Sequence, residues 1–187
     1  MSSSEPADAE AVSVRPATRA DMQHVYDMIH GGAEQGSKSL RLLQELAEYE
    51  GMPDGPRLSV DDLVRDGFDS SAPWFFVLIA ECAGAVVGHA LCNRAYSSWT
   101  RRAFYVEDLY VRPEARRRRV GLRLLQELCR MAVREGVQRV DWHVLESNAP
   151  ALGFYRKLGA RDLRVSEGRA AMRLDDPQIQ ALALEQA

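Results

Sequence analysis

Tyr105-Val-Glu-Asp-Leu-Tyr-Val-Arg-Pro-Glu-Ala-Arg-Arg-Arg-Arg-Val-Gly-Leu-Arg-Leu-Leu125 is the stretch that decides the fold of this chain. Phe104 to Val111 reads as a strand, with aromatic and β-branched residues around the acidic pair Glu107-Asp108. A loop from Arg112 to Gly121 follows, and a helix opens at about Val120. Such a strand–loop–helix unit presents unpaired backbone N–H groups and the positive end of a helix dipole. That combination is a ready site for a diphosphate. Arg116, Arg117, Arg118 and Arg119 add cationic partners for phosphate oxygens.

Working outward, the helix runs from Val120 to Glu135 with apolar residues at Val120, Leu124, Leu125, Leu128, Met131 and Ala132, and Gly136 caps it. Before the central strand, Trp74–Ala80 and Val86–Ala95 read as a hairpin turning at Cys82-Ala-Gly84, with a loop at Tyr96–Thr100. Upstream lie a strand at Val12–Arg15, a helix over Met22–Ile29 introduced by Thr18 and Asp21, a helical stretch at Leu40–Tyr49, and a short helix capped by Ser59 with Asp62. Downstream, Val140–Leu145 is a strand and Asn148 caps a helix over Ala149–Leu158. Arg161–Val165 and Ala170–Leu174 read as closing strands around Glu167-Gly168. The fold class is α+β, one mixed sheet with flanking helices. Residues 1–11 are expected to be a disordered tail, 12–175 the domain, and 176–187 a terminal helix or tail.

Composition narrows the function. The 187 residues include 24 basic and 27 acidic side chains, for a net charge of -3, which draws the chain to no nucleic acid. The three cysteines, Cys82, Cys92 and Cys129, have no paired spacing, so a reducing, cytoplasmic setting is expected. The four histidines lack ligand spacing, and no metal site is expected. The longest apolar run, Trp74–Ala80, is far short of the ~20 residues of a membrane helix. The N-terminus has no apolar signal-peptide core. The charges are also unevenly placed. Arg101–Arg119 holds seven arginines against three acids, whereas Glu34–Asp69 holds nine acids against four bases.

The loop Arg116-Arg-Arg-Arg119-Val-Gly121 resembles the diphosphate loop of the GNAT acetyltransferase superfamily, Arg/Gln-x-x-Gly-x-Gly/Ala. Tyr105–Val111, Asn148-Ala-Pro-Ala-Leu-Gly-Phe-Tyr-Arg-Lys-Leu-Gly-Ala160 and Leu46-Ala-Glu-Tyr-Glu50 fall in the order and spacing of its diamine acetyltransferase subfamily. That subfamily comprises the spermidine/spermine N1-acetyltransferases and the thialysine N-acetyltransferases. The resemblance runs from about Val14 to Leu174. It implies a GNAT fold with a splayed central strand pair, acetyl-CoA as co-substrate, a primary amine as acceptor, and a homodimer.

Carried over residue by residue, the resemblance implies these roles. Leu109, Tyr110 and Val111 would serve the thioester and pantetheine. Arg116, Arg117, Arg118, Arg119, Val120, Gly121 and Leu122 would line the diphosphate. Asn148 and Lys157 would touch the cofactor. Tyr155 would be the general acid and Glu107 the proton acceptor. Glu107, Asp108, Tyr49, Glu50 and Trp99 would meet the amine. Arg119 stands where the family has its first glycine, and is accommodated if its φ stays negative.

The chemistry suits these groups. An amine with a pKa of roughly 10 must lose a proton before attacking a thioester, and a carboxylate can take it. Each residue also has a plainer structural reading: a solvated acidic pair, a packed tyrosine, a helix cap, an exposed arginine run. Their joint register is what favours the chemical one. The loop Tyr96-Ser-Ser-Trp99 resembles the thialysine branch, because Ser97 replaces the aspartate of the polyamine enzymes. The favoured acceptor is therefore thialysine, lysine or ornithine. A polyamine acceptor and a non-catalytic acyl-CoA-binding module are the alternatives.

Overall fold

In this computed structural model the described residues are 11–30, 58–168 and 172–184. The chain divides into two compact units, Met1–His143 and Val144–Ala187. The expected helix at Leu40–Tyr49 lies outside the described residues.

The first unit is built on a five-stranded sheet in the order β1 to β5: β1 (Val12–Pro16), β2 (Phe76–Cys82), β3 (Ala85–Ser97), β4 (Arg101–Val111) and β5 (Arg139–Trp142). The first three pairings are antiparallel, and β4–β5 is parallel. Parallel neighbours need a crossover, supplied here by the long helix between them. One face is covered by α1 (Met22–Ile29) and α2 (Val60–Val64), whose Met22, Val25 and Leu63 pack on Val77, Ile79 and Leu91. The long helix α3 (Val120–Glu135) buries Val120, Leu124, Leu125, Leu128 and Ala132. Each fully buried leucine contributes roughly 1.5–3 kcal/mol.

Local chemistry sets the ends of these elements. Ser59 Oγ accepts from Asp62 N at 3.1 Å, while the Asp62 carboxylate accepts from Ser59 N at 2.8 Å. Gly136 closes α3 with φ 68°, a left-handed conformation that glycine adopts without a Cβ clash. Asp21 accepts from Thr18 N and Oγ1, and both guanidinium nitrogens of Arg15 bond it at 2.8 Å. These bonds hold the nearly buried Asp21 carboxyl well below the usual carboxylate range, Arg15 being the largest cause.

The second unit contains α4 (Ala149–Lys157), α5 (Leu163–Glu167) and α6 (Asp176–Leu184). The expected strand at Arg161–Val165 is therefore corrected to a helical turn. Asp162 accepts from Arg164 N at 3.0 Å, and Gly168 ends the turn at φ 64°. A side-chain cap at one end and a left-handed glycine at the other close a single helical turn, and Val165 is the one β-branched residue between them. Of the expected partner strand, Met172–Leu174 forms no strand, and its earlier residues 170–171 lie outside the described ones.

Candidate active site

The site elements meet at the C-terminal end of β4. The ladder to β5 runs from Ala103↔Arg139 to Val106↔Trp142 and stops there. Among the described residues no strand pairs with that edge of β4 beyond Val106, so the two strands part at Glu107. On the other edge, Leu91 pairs Asp108 and Cys92 pairs Val106, which makes Glu107 an extra residue: a β-bulge. The bulge resets the alternation of side chains along β4. Asp108 and Tyr110 thereby share a face with Leu91 and His89, while Glu107 stands exposed at the break. Asn93 Nδ2 approaches Glu107 Oε2 at 3.5 Å.

The arginine loop is tied to the same strand end. Arg112 N donates to Val87 O at 2.9 Å and its Nε to Val86 O at 3.0 Å. Arg116 Nε donates to Val111 O at 3.1 Å, and its guanidinium lies 6.0 Å from the Tyr110 ring centre. Gly88 lets this end close up, because a Cβ there would lie 2.7 Å from Tyr110 O and 3.3 Å from Val120 Cγ1. The start of α3 therefore seats directly over β3. Arg116 to Arg119 are all exposed ahead of buried Val120.

The condition set on Arg119 is not met. Its φ is 62°, and that of Arg117 is 65°. Both occupy the left-handed region that the family's glycine would fill without strain. The physical reason is the tight entry into α3: the chain must reverse between Arg116, which is extended, and Val120, which starts the helix. Backbone N–H groups in such alternating conformations form a concavity suited to anions.

The remaining predicted residues are distributed as follows. Trp99 is exposed in the β3–β4 turn. That turn is tighter than expected, since β3 reaches Ser97 and β4 begins at Arg101. Tyr49 and Glu50 lie outside the described residues. In the second unit, Asn148 Oδ1 caps α4 by accepting from Ala151 N at 3.2 Å. Tyr155 is half-buried and Lys157 exposed, both in the last turns of α4.

Sequence reasoning missed His89. It is fully buried on β3, and its Nε2 lies 2.5 Å from Asp108 Oδ2. The signal was a single histidine inside the apolar run Val86-Val-Gly-His-Ala-Leu-Cys92, opposite the acidic pair in a hairpin. The neighbouring Cys92 thiol is pushed up to about 12, chiefly by burial and then by the charge of Asp108. Tyr105 Oη and His143 Nδ1 meet at 2.5 Å near the last β4–β5 pairs.

The GNAT acetyltransferase family model matches residues 40–160. This chain belongs to the GNAT family. Thialysine N-epsilon-acetyltransferase from Sus scrofa is 36% identical over 152 residues, covering 77% of this chain and 89% of the relative. Spermidine/spermine N(1)-acetyltransferase-like protein 1 from Homo sapiens is 31% identical over 168 residues, covering 86% of this chain and 24% of that protein. An aminoglycoside N-acetyltransferase, AAC(6')-Iy solved in complex with CoA, superposes with a TM-score of 0.61 at 16% identity, over 91% of this chain and 98% of its own. That last likeness is one of fold. The GNAT sheet explains the parted β4–β5 pair, and the chain is an acetyltransferase. Among the described residues no cluster of side chains suits a metal ion, and no helix is long and apolar enough to cross a membrane.

Proposed function

We propose that this GNAT enzyme transfers an acetyl group from acetyl-CoA to the side-chain amine of a small cationic amino acid such as thialysine, lysine or ornithine. The observation that carries the reading is the bulge at Glu107. It sets two adjacent carboxylates on the strand whose far end anchors the arginine loop. An acceptor cation and an anionic donor are thus received a few residues apart on one element. The thialysine enzymes among the relatives and Ser97 at the end of β3 support an amino-acid acceptor.

In this reading Arg116 to Arg119, with the first N–H groups of α3 at Val120, Gly121 and Leu122, receive the diphosphate. Glu107 takes a proton from the ammonium, directly or through one water. The amine nitrogen then bonds the thioester carbon, and the backbone near Leu109 stabilises the charge that builds on the carbonyl oxygen. The carbon–sulfur bond breaks, Tyr155 protonates the departing sulfur, and the nitrogen gives its extra proton to the resulting phenolate through solvent, leaving a neutral amide and free CoA. Asp108, Trp99, Tyr49 and Glu50 bind the acceptor, while Tyr110, Val111, Asn148 and Lys157 complete the donor site. We further propose a cytoplasmic homodimer.

The test is release of free CoA from acetyl-CoA against a panel of thialysine, lysine, ornithine, spermidine and spermine. Highest kcat/KM with one of the amino acids is expected. Preference for spermidine or spermine would move the chain to the polyamine reading, which the human relative favours. CoA binding without turnover of any amine would leave a non-catalytic acyl-CoA-binding module.

A further inference from the structure

His89 is fully buried, and its two ring nitrogens have opposite environments. Nε2 lies 2.5 Å from Asp108 Oδ2, whereas Nδ1 is buried and, among the described residues, has no hydrogen-bond partner. The ring stacks on Tyr110 at 6.2 Å between centres, with 25° between planes. The Asp108 side chain is 37% exposed, so the carboxylate spans from the buried imidazole to solvent.

These facts separate two roles. An imidazole that relays a proton needs a partner on each nitrogen. Here no described residue partners Nδ1. A charged imidazolium would bury an Nδ1–H with no acceptor, a costly unsatisfied donor. The neutral ring with its proton on Nε2 leaves only a bare lone pair at Nδ1, the milder omission. The arrangement therefore matches a fixed donor holding an ionised carboxylate.

We propose that His89 is a positioning residue for the acceptor site: it anchors Asp108 through Nε2–H, leaving the rest of that carboxylate to receive the incoming ammonium. The inference rests on the amine-acetylation reading above. The anchor acts on acceptor binding and not on acetyl-CoA, because its partner is a carboxylate, whereas Arg116 of the arginine loop reaches β4 further along, at Val111 and Tyr110.

The test pairs kinetics with direct observation of the ring. His89→Phe keeps the bulk and removes the donor. It should raise the KM of the preferred amine on the order of ten-fold or more, as loss of a hydrogen bond to a charged group predicts. The KM for acetyl-CoA should stay within about two-fold, a change of at most ~0.4 kcal/mol. His89→Gln, whose amide can donate toward Asp108, should recover most of the loss. Nitrogen-15 NMR of the wild-type enzyme should show His89 as the Nε2–H tautomer. Asp108→Asn should shift that signal. An equal rise in both KM values, a Gln variant no better than Phe, or a ring found as imidazolium or as the Nδ1–H tautomer would each overturn the proposal. If the wild-type enzyme turns over no amine, the functional reading fails. The NMR result then still decides whether His89 anchors Asp108.

Discussion

Replacing Arg119 by glycine should make the protein more stable, although it deletes a side chain and adds nothing. Arg119 holds φ 62° at the entry to α3. A non-glycine residue in that region costs roughly 1–2 kcal/mol, because its Cβ crowds the following carbonyl. Glycine removes that cost. It gives back about 0.5–1 kcal/mol through the greater freedom of the unfolded chain. The net gain spans about 0–1.5 kcal/mol, and its midpoint of ~0.75 kcal/mol raises Tm by roughly 1.5–3 °C for a domain of this size. The Arg119 side chain is exposed, so little packing opposes the change. Arg118 provides the control, since it is exposed on the same loop but is not among the positive-φ residues. Arg118→Gly should lower Tm, having entropy to lose and no strain to relieve. Thermal melts of the three unliganded proteins, side by side, make the comparison. If Arg119→Gly melts below the parent in the manner of Arg118→Gly, the strain argument is refuted.

Tyr155→Phe should lower kcat on the order of 10²-fold with little change in either KM, as removal of a general acid does; steady-state kinetics on the preferred amine checks this, and an unchanged kcat removes Tyr155 from the chemistry. Acid should unfold the protein partly through Asp21, whose folded pKa is depressed by Arg15. That stability is fully present above the unfolded pKa of about 3.9 and is lost as pH falls through it toward the folded value. Urea denaturation between about pH 5 and pH 2 should show the decline. Arg15→Ala should flatten it while costing on the order of 2–3 kcal/mol near neutral pH.

The long helix was legible because its apolar residues repeat at helical spacing and Gly136 follows the last of them. The capped starts at Thr18, Ser59 and Asn148 were legible for the same local reason: a polar side chain reaches its backbone partner within three residues. The strands were found with ends shifted by up to three residues, since pairing partners, and not local pattern, decide where a ladder stops. Arg161–Val165 forms a helical turn and not the expected strand because the Asp162 cap and Gly168 close it from both ends, two local signals that the strand reading does not use. The His89–Asp108 contact could not be read at all. It depends on a single extra residue in β4, which changes which side chains share a face, and no local pattern marks that residue. The backbone angle of Arg119 was equally hidden, because it follows from where α3 must begin on Gly88.

The bulge at Glu107 also sets what kinds of mutation this enzyme can survive. Glu107 is outside the ladder to β3, so its side chain can be exchanged while the pairs on both sides stand. Losing the residue altogether leaves the ladder standing too: Leu91–Asp108 and Cys92–Val106 become neighbouring pairs of a regular register, and Asp108 keeps its face beside His89. What goes is the local bend of the strand, at the point where the ladder to β5 stops. Either change therefore spares the sheet while removing the carboxylate proposed to take the proton, so that loss of fold and loss of activity come apart at this one position.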